Sequence, residues 1–151
     1  MKILMVCLGN ICRSPLAEGI LKHKVTQQGL DWEIDSAGTG AYHVGELPDS
    51  RSIAIAHKYG IDLTDQRARQ FQVIDFDKFD KIFVMDASNY RNVLKLARNE
   101  ADQQKIEMIR NLVKPGWNEQ VPDPYYEKNG FENIYQMIDE ACDELLNESN
   151  K

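Results

Sequence analysis

The first apolar segment of the chain is KILMV at residues 2–6, which opens on a lysine and contains no other polar residue. A short, uninterrupted apolar run is typical of a strand buried on both faces of a parallel sheet. Downstream of Pro15, apolar side chains recur at helical spacing, at Leu16, Ala17, Ile20, Leu21 and Val25. Ser14 suits the N-cap of this helix and Gly29 suits its end. The pattern predicts a strand, a loop over residues 7–14 and a helix.

Strand and helix patterns continue to alternate along the chain. We predict strands near residues 32–36, 81–85 and 106–109, and helices over residues 49–60 and 89–97. A last helix has one apolar face, formed by Phe131, Ile134, Tyr135, Ile138, Ala141, Cys142 and Leu145. This alternation predicts an α/β fold: a three-layer domain with a four-stranded parallel sheet flanked by helices on both faces.

Ligands of such sheets bind at the carboxyl ends of the strands. Three loops are expected at that edge: the loop over residues 7–14, the loop over residues 36–45, and the segment VPDPYY at residues 121–126. We therefore expect the functional site where these three loops meet.

Length, charge and cysteine content narrow the class of protein. The chain has 151 residues, which suits a single domain over residues 1–151. Its net charge of −6 and its lack of a basic block make nucleic acid and an anionic membrane unexpected partners. The run at residues 2–6 is too short for a signal peptide or a membrane span, so we expect a cytoplasmic protein. Three cysteines then favour free thiols over a disulfide framework.

The loop over residues 7–14 reads CLGNICRS and has the pattern Cys-x5-Arg-Ser. A loop of this length over a helix N-terminus can direct its backbone N–H groups inward, and the helix dipole adds positive charge. Gly9 and Asn10 tolerate the left-handed backbone that such a loop needs. Arg13 can hold two phosphoryl oxygens with its planar guanidinium. The loop is therefore predicted to bind phosphate.

Cys7 lies at the start of this loop, where its sulfur would face the bound anion. The donors that hold the anion would also stabilise a thiolate, which is the nucleophilic form of cysteine. Cys7 is therefore a candidate nucleophile. The alternative is an unreactive buried cysteine at the end of a strand.

Attack on a phosphate ester requires a proton for the departing oxygen. Asp123 stands between Pro122 and Pro124, which restrict the backbone around a short carboxylate, so it is the candidate general acid. The alternative is a surface turn, in which aspartate is common. Tyr125 and Tyr126 follow, either as walls of a cleft or as core residues.

Four motifs together resemble the low-molecular-weight protein tyrosine phosphatases. They are CLGNICRSP at residues 7–15, DSAG at 35–38, MDASN at 85–89 and DPYY at 123–126. The resemblance spans roughly residues 2–147. It implies a two-step reaction through a phosphocysteine, with neither metal nor other cofactor, on a tyrosine-phosphorylated protein. It also implies a tyrosine kinase as a partner.

The resemblance also implies residue roles. Cys7 attacks, Arg13 binds the phosphoryl group, and Asp123 protonates the leaving phenolate and then activates water. The phosphate-binding residues are Leu8, Gly9, Asn10, Ile11, Cys12, Arg13 and Ser14, and the residues that support the loop are Asn10, Ser14 and Ser36. The Ser14 hydroxyl is also implied to stabilise the sulfur as a leaving group. The substrate cleft is formed by Ile11, Tyr42, Tyr125 and Tyr126.

Two positions qualify this comparison. Gln66 stands where many family members carry a histidine that braces the loop, so that bracing role is in doubt. Cys12 resembles a second loop cysteine that forms a reversible disulfide with Cys7. A small packed side chain is an equal alternative for Cys12.

Other functions of the same fold remain as alternatives. Thiol-relay arsenate reductases resemble this chain but need further redox cysteines, and only Cys142 lies downstream. Protein-arginine phosphatases typically have threonine at the position of Ile11, and the bulkier isoleucine favours an aryl phosphate. A non-catalytic phosphate-binding module would not require Cys7 and Asp123. His23, His43 and His57 do not cluster with cysteines at metal-ligand spacing.

Overall fold

A computed structural model describes residues 1–126 and 128–150. The strands are β1 (Lys2–Cys7), β2 (Glu33–Gly38), β3 (Lys81–Val84) and β4 (Ile106–Met108). The α-helices are α1 (Arg13–Gln27), α2 (Ser50–Lys58), α3 (Asp75–Lys78), α4 (Ala87–Leu94), α5 (Glu100–Lys105) and α6 (Gly130–Ser149). Short 3-10 helices cover Ile109–Leu112 and Pro124–Tyr126.

The four strands form one parallel sheet in the order β2-β1-β3-β4. Val6 of β1 pairs with Ala37 on one side and with Val84 on the other, so the carboxyl ends of these strands lie together. The predicted four-stranded parallel sheet is confirmed. The loop that follows β1 consequently begins in the middle of the sheet edge, between the ends of β2 and β3.

Side chains of β1 alternate between two hydrophobic cores. Ile3 and Met5 belong to a core built with α1 and α6. Leu4 and Val6 belong to a second core, which contains Phe76 of α3 and Val93 of α4. Helices therefore cover both faces of the sheet, as the sequence predicts, and every β1 residue from Ile3 to Cys7 is buried.

The start of α1 differs from the sequence prediction. The helix begins at Arg13, and the N-cap position is Cys12, whose side chain makes no capping hydrogen bond. The predicted N-cap role of Ser14 is wrong, because Ser14 already lies in the helix and its hydroxyl faces the sulfur of Cys7. A small polar residue at a helix start can thus serve a neighbouring side chain instead of the backbone.

The region around α4 shows two further differences. Asp86 caps α4 by accepting the backbone N–H of Asn89, so the helix starts at Ala87 and ends at Leu94, earlier at both ends than predicted. Helix α5 was not predicted, since its six residues are mostly polar and show no apolar face. Among the described residues, no helix combines the length and apolar composition needed to cross a bilayer.

Candidate active site

A cleft opens at the carboxyl ends of the central strands and has a volume of about 110 Å³. It is lined by Cys7, Leu8, Gly9, Ile11, Cys12, Arg13, Tyr42, His43, Asp123, Pro124 and Tyr125. These residues come from the three loops that the sequence places at one edge of the sheet. The structure therefore brings the candidate nucleophile, phosphate ligand and acid into one cavity.

Cys7 ends β1 and is almost fully buried, with 2% of its surface exposed. Its Sγ lies 3.0 Å from Ser14 Oγ. Asn10 Nδ2 donates to both Ser14 Oγ and Ser36 Oγ, at 2.9 Å each. The three predicted loop-supporting residues thus form a hydrogen-bonded group behind the cleft, on the side of the sulfur away from solvent.

The loop backbone is held by the start of the loop that follows β2. Thr39 and Gly40 donate backbone N–H groups to the carbonyls of Cys7 and Leu8, both at 2.9 Å. A Cβ atom at Gly38 would lie 2.7 Å from the Leu8 carbonyl oxygen, which is closer than real Cβ atoms approach. Asn10 has a left-handed backbone with φ of 56°, as the sequence predicts. Gly38 was not singled out from the sequence as a loop-packing residue.

Arg13 is buried at the first position of α1, with 6% of its surface exposed. Its Nη1 donates to Asp86 Oδ2 at 2.7 Å and to the backbone carbonyl of Val121 at 2.9 Å. These two contacts fix the guanidinium, which lines the cleft. Asp86 was missed as a site residue, although its position two residues after the end of β3, within the motif MDASN, was an available signal.

Asp123 is exposed and lines the cleft together with Pro124. Its Oδ1 accepts the backbone N–H of Tyr125 at 3.1 Å. This local hydrogen bond orients the carboxylate on its proline-flanked segment. Among the described residues, the structure thus places a solvent-accessible carboxylate in the same cavity as the Cys7 sulfur.

Aromatic side chains border the opening of the cleft. Tyr42 is 79% exposed and lies against Gly40. His43, whose Nδ1 contacts Glu46, packs beside Gly9 and lines the cleft as well. Tyr125 contributes a third ring. The predicted contribution of Tyr126 stays a prediction, because its side chain lies outside the described part of the structure.

Cys12, the second cysteine of the loop, has polar contacts of its own. Its Sγ lies 2.7 Å from Tyr125 Oη, and that hydroxyl donates to Asp49 Oδ2 at 3.3 Å. The Arg51 guanidinium stacks over the Tyr125 ring, 4.5 Å from its centre. Burial raises the pKa of the Cys12 thiol to about 11. Cys12 is therefore held as a neutral thiol.

Gln66 does not take part in the group around Asn10. Its Nε2 donates to the carbonyl of Pro15 at 3.0 Å, and its buried Oε1 has no hydrogen-bond partner among the residues that the structure describes. The group around Asn10 is joined by Glu18 and not by Gln66, because Ser36 Oγ donates to Glu18 Oε1 at 2.6 Å. Glu18 was not identified from the sequence, because it lies on α1 among apolar residues and carries no motif.

Within residues 1–126 and 128–150, no group of three or more His, Cys, Asp or Glu side chains is arranged to hold a metal ion.

The chain was compared with known families and proteins. The family model described as low molecular weight phosphotyrosine protein phosphatase matches residues 2–151. A putative low molecular weight protein-tyrosine-phosphatase of Synechocystis is 46% identical over 156 residues, covering 100% of this chain and 98% of that protein.

Solved structures give the same result. A protein tyrosine phosphatase from Entamoeba histolytica superposes with a TM-score of 0.91 at 37% identity, covering 99% of this chain and 97% of the other. A drosophila arginine phosphatase superposes with a TM-score of 0.92 at 35% identity, covering 100% and 99%. The match of the family model across the chain shows that this protein belongs to the low-molecular-weight phosphotyrosine protein phosphatase family of hydrolases.

Proposed function

We propose that the protein hydrolyses phosphotyrosine in proteins through a covalent phosphocysteine formed on Cys7. The observation that carries the proposal is that Cys7, Arg13 and Asp123 line one small cleft at the carboxyl ends of the strands. A nucleophile, a phosphoryl-binding guanidinium and a proton donor are the groups that this reaction requires. The proposal treats residues 1–151 as one phosphatase domain.

In the first step the Cys7 thiolate attacks phosphorus. A sulfur–phosphorus bond forms, the bond from phosphorus to the phenolic oxygen breaks, and the Asp123 carboxylic acid gives its proton to that oxygen. Arg13 stabilises the charge on the phosphoryl oxygens, with its guanidinium fixed by Asp86. Backbone N–H groups of residues 8–14 supply the remaining donors, since this loop runs into the N-terminus of α1.

In the second step water releases phosphate from the enzyme. The Asp123 carboxylate, now without its proton, accepts a proton from water as the water oxygen bonds to phosphorus. The sulfur–phosphorus bond breaks and the thiolate of Cys7 re-forms. The Ser14 hydroxyl, 3.0 Å from the sulfur, stabilises the departing thiolate by a hydrogen bond.

An aryl phosphate suits the walls of the cleft. Ile11, Tyr42, Pro124 and Tyr125 give the cavity apolar and aromatic sides, against which a phenyl ring can pack. Hydrolysis of phosphoarginine is the second candidate, because a drosophila arginine phosphatase is among the similar structures. The isoleucine at position 11 favours the flat, apolar phenyl ring over the polar guanidinium of phosphoarginine.

The cellular setting forms part of the proposal. All three cysteines are buried free thiols, as expected of a protein in the reducing cytoplasm. The substrate is then a cytoplasmic protein phosphorylated on tyrosine, and a tyrosine kinase is the partner that supplies it.

A substrate comparison tests the function. Purified protein is assayed without added metal on a phosphotyrosine peptide, on the same peptide with phosphoarginine, and for reduction of arsenate with a thiol. We expect kcat/KM to be highest for phosphotyrosine, by about tenfold or more. Of the three substrates, only phosphotyrosine has an aromatic ring that can pack against the apolar walls of the cleft. A higher kcat/KM for phosphoarginine would overturn the assignment in favour of the second candidate.

The Asp123→Asn variant tests the general acid. Phenolate leaves poorly without a proton, whereas nitrophenolate is stable without one. We expect kcat/KM of the variant to fall about 100-fold or more for phenyl phosphate, and far less for p-nitrophenyl phosphate. The exposed Asp62→Asn variant is the matched control. Equal losses on both substrates would remove Asp123 from the acid role.

A further inference from the structure

We propose that Glu18 is a positioning residue, whose carboxylate fixes the direction of a chain of hydrogen bonds that ends at the Cys7 sulfur. The chain runs from Glu18 through Ser36, Asn10 and Ser14 to Cys7. This inference rests on the proposed function, because it assigns these hydrogen bonds a role in the catalytic cycle. It concerns a residue outside the four sequence motifs.

Glu18 is a buried carboxylate with two donors. Only 3% of its surface is exposed, and burial raises its pKa. Its Oε2 accepts from Lys22 Nζ at 2.6 Å, and its Oε1 accepts from Ser36 Oγ at 2.6 Å. The ammonium of Lys22 offsets part of the cost of burying this charge. One carboxylate oxygen is thereby committed to Lys22 and the other to Ser36.

The direction of the chain follows from the amide of Asn10. Its Oδ1 accepts the backbone N–H of Arg69 at 3.0 Å, which fixes the side chain with its nitrogen toward the two serines. An amide nitrogen can only donate, so Ser14 Oγ and Ser36 Oγ both act as acceptors from Asn10. Each hydroxyl hydrogen must then point to another acceptor.

The two remaining hydrogens have clear destinations. The Ser36 hydroxyl points to Glu18, as described above. The Ser14 hydroxyl has the Cys7 sulfur at 3.0 Å, against 3.5 Å for the alternative acceptor, the carbonyl of Ala37. Ser14 therefore presents its hydrogen to a thiolate at position 7, which is the form that attacks and that later leaves.

Glu18 matters because a carboxylate can accept but cannot donate. It leaves the Ser36 hydroxyl a single favourable orientation, which keeps a lone pair of that oxygen available to Asn10. Without this acceptor the buried Ser36 hydroxyl would lose its partner and turn toward other acceptors, and the amide of Asn10 would lose a fixed neighbour. The hydrogen bond from Ser14 to sulfur would then weaken.

Gln66 supplies a nearby comparison. Its side chain is also buried close to α1, but it donates to the Pro15 carbonyl and, within the described residues, has no hydrogen bond to the serines or Asn10. A role confined to packing beside α1 would be shared by Gln66 and Glu18. Of these two side chains, only Glu18 can orient the hydrogen bonds that lead to the Cys7 sulfur.

A double-mutant cycle tests the inference. Wild type, Glu18→Ala, Ser36→Ala and the double variant are assayed on p-nitrophenyl phosphate. Its leaving group departs without a proton, which makes the first step easy, so that kcat reports on the departure of phosphate from sulfur. Affinity for inorganic phosphate is measured by titration calorimetry. Glu18→Gln keeps the side-chain volume and is included in case Glu18→Ala does not fold. Gln66→Met is the matched control.

We expect kcat to fall about threefold to tenfold in each single alanine variant, with the double variant no worse than the more damaged single variant. Phosphate affinity should change less than about twofold, because the phosphate ligands are other groups. Glu18→Gln should show an intermediate loss, and Gln66→Met should keep kcat within about twofold of wild type.

Three results would overturn the inference. They are an unchanged kcat in Glu18→Ala, losses that multiply in the double variant, and a loss of phosphate affinity that parallels the loss of kcat. An inactive wild-type protein would instead reject the proposed function, while phosphate titration would still report whether the loop is intact. The two failures are therefore distinguishable.

Discussion

Cys7 and Cys12 belong to the same loop, and both are buried, but their sulfurs meet different groups. The Cys7 sulfur lies beside the Ser14 hydroxyl, at the end of a chain of donors, in a cleft that also holds the Arg13 guanidinium. The Cys12 sulfur lies against Tyr125, whose hydroxyl donates to the negatively charged Asp49. The surroundings of Cys12 oppose a thiolate, whereas the sulfur of Cys7 has a hydroxyl and a guanidinium in its surroundings.

This difference shows that loop membership does not make a cysteine reactive. The pKa of Cys12 is raised to about 11, mainly by burial, and the charge of Asp49 acts in the same direction. Under the proposed mechanism, Cys7 differs from an inert buried thiol because the Ser14 hydroxyl contacts its sulfur and the Arg13 guanidinium lines the same cleft. The reversible disulfide between these two cysteines stays a prediction.

The largest expected effect comes from exchanging each sulfur for oxygen. Cys7→Ser should lower kcat by about 10⁴-fold or more, because a serine hydroxyl is not ionised at neutral pH. Cys12→Ser should cost less than about tenfold, since only packing and one hydrogen bond change. Hydrolysis of p-nitrophenyl phosphate measures both. Comparable losses in the two variants would contradict the division of roles between the cysteines.

The two arginines beside these cysteines should differ by a smaller factor. Arg13 is fixed by Asp86 and Val121, whereas Arg51 stacks on Tyr125 at the surface. Arg13→Lys loses the planar fork and should lower kcat/KM by about 100-fold to 1000-fold. Arg51→Lys, the matched control, should change it less than about threefold. A decrease in kcat/KM of less than about tenfold in Arg13→Lys would argue against the proposed binding of the phosphoryl group by the Arg13 guanidinium.

The smallest expected effect is on stability in alkali. Between the ordinary thiol pKa of 9.0 and about 11, the unfolded chain loses the Cys12 proton while the folded chain keeps it. The unfolded state then binds fewer protons, so the free energy of unfolding falls as pH rises, by at most about 1.4 kcal/mol per pH unit. Stability from this source is complete below pH 9 and decreases above it.

The Cys12→Ser variant has no such proton. Urea unfolding at a series of pH values from 8 to 11 should therefore give a shallower loss of stability for Cys12→Ser than for wild type. Groups that ionise in alkali and do not contact Cys12, Cys142 among them, contribute equally to both proteins and cancel in the difference. Parallel curves would mean that the Cys12 thiol ionises as readily in the folded protein as in the unfolded chain.

Much of the architecture could be predicted from local pattern. The run at residues 2–6 identified the central strand, and the apolar spacing after Pro15 identified the helix that follows. The start of that helix was misplaced, because Ser14 matches the preferences of an N-cap but is drawn to the sulfur of Cys7 instead. Helix α5 escaped prediction because six mostly polar residues carry no apolar period.

The sequence by itself determined the alternation of the four strands with the longer helices. It also placed Cys7, Arg13 and Asp123 in loops expected at one edge of a sheet, because those signals are local in the chain. Only the tertiary structure decided that Asp86 fixes Arg13, that Gly38 lets the loop pack closely, and that Glu18 contacts Ser36. Each of these contacts joins residues distant in sequence, and their distance and direction arise only when helices pack on the sheet.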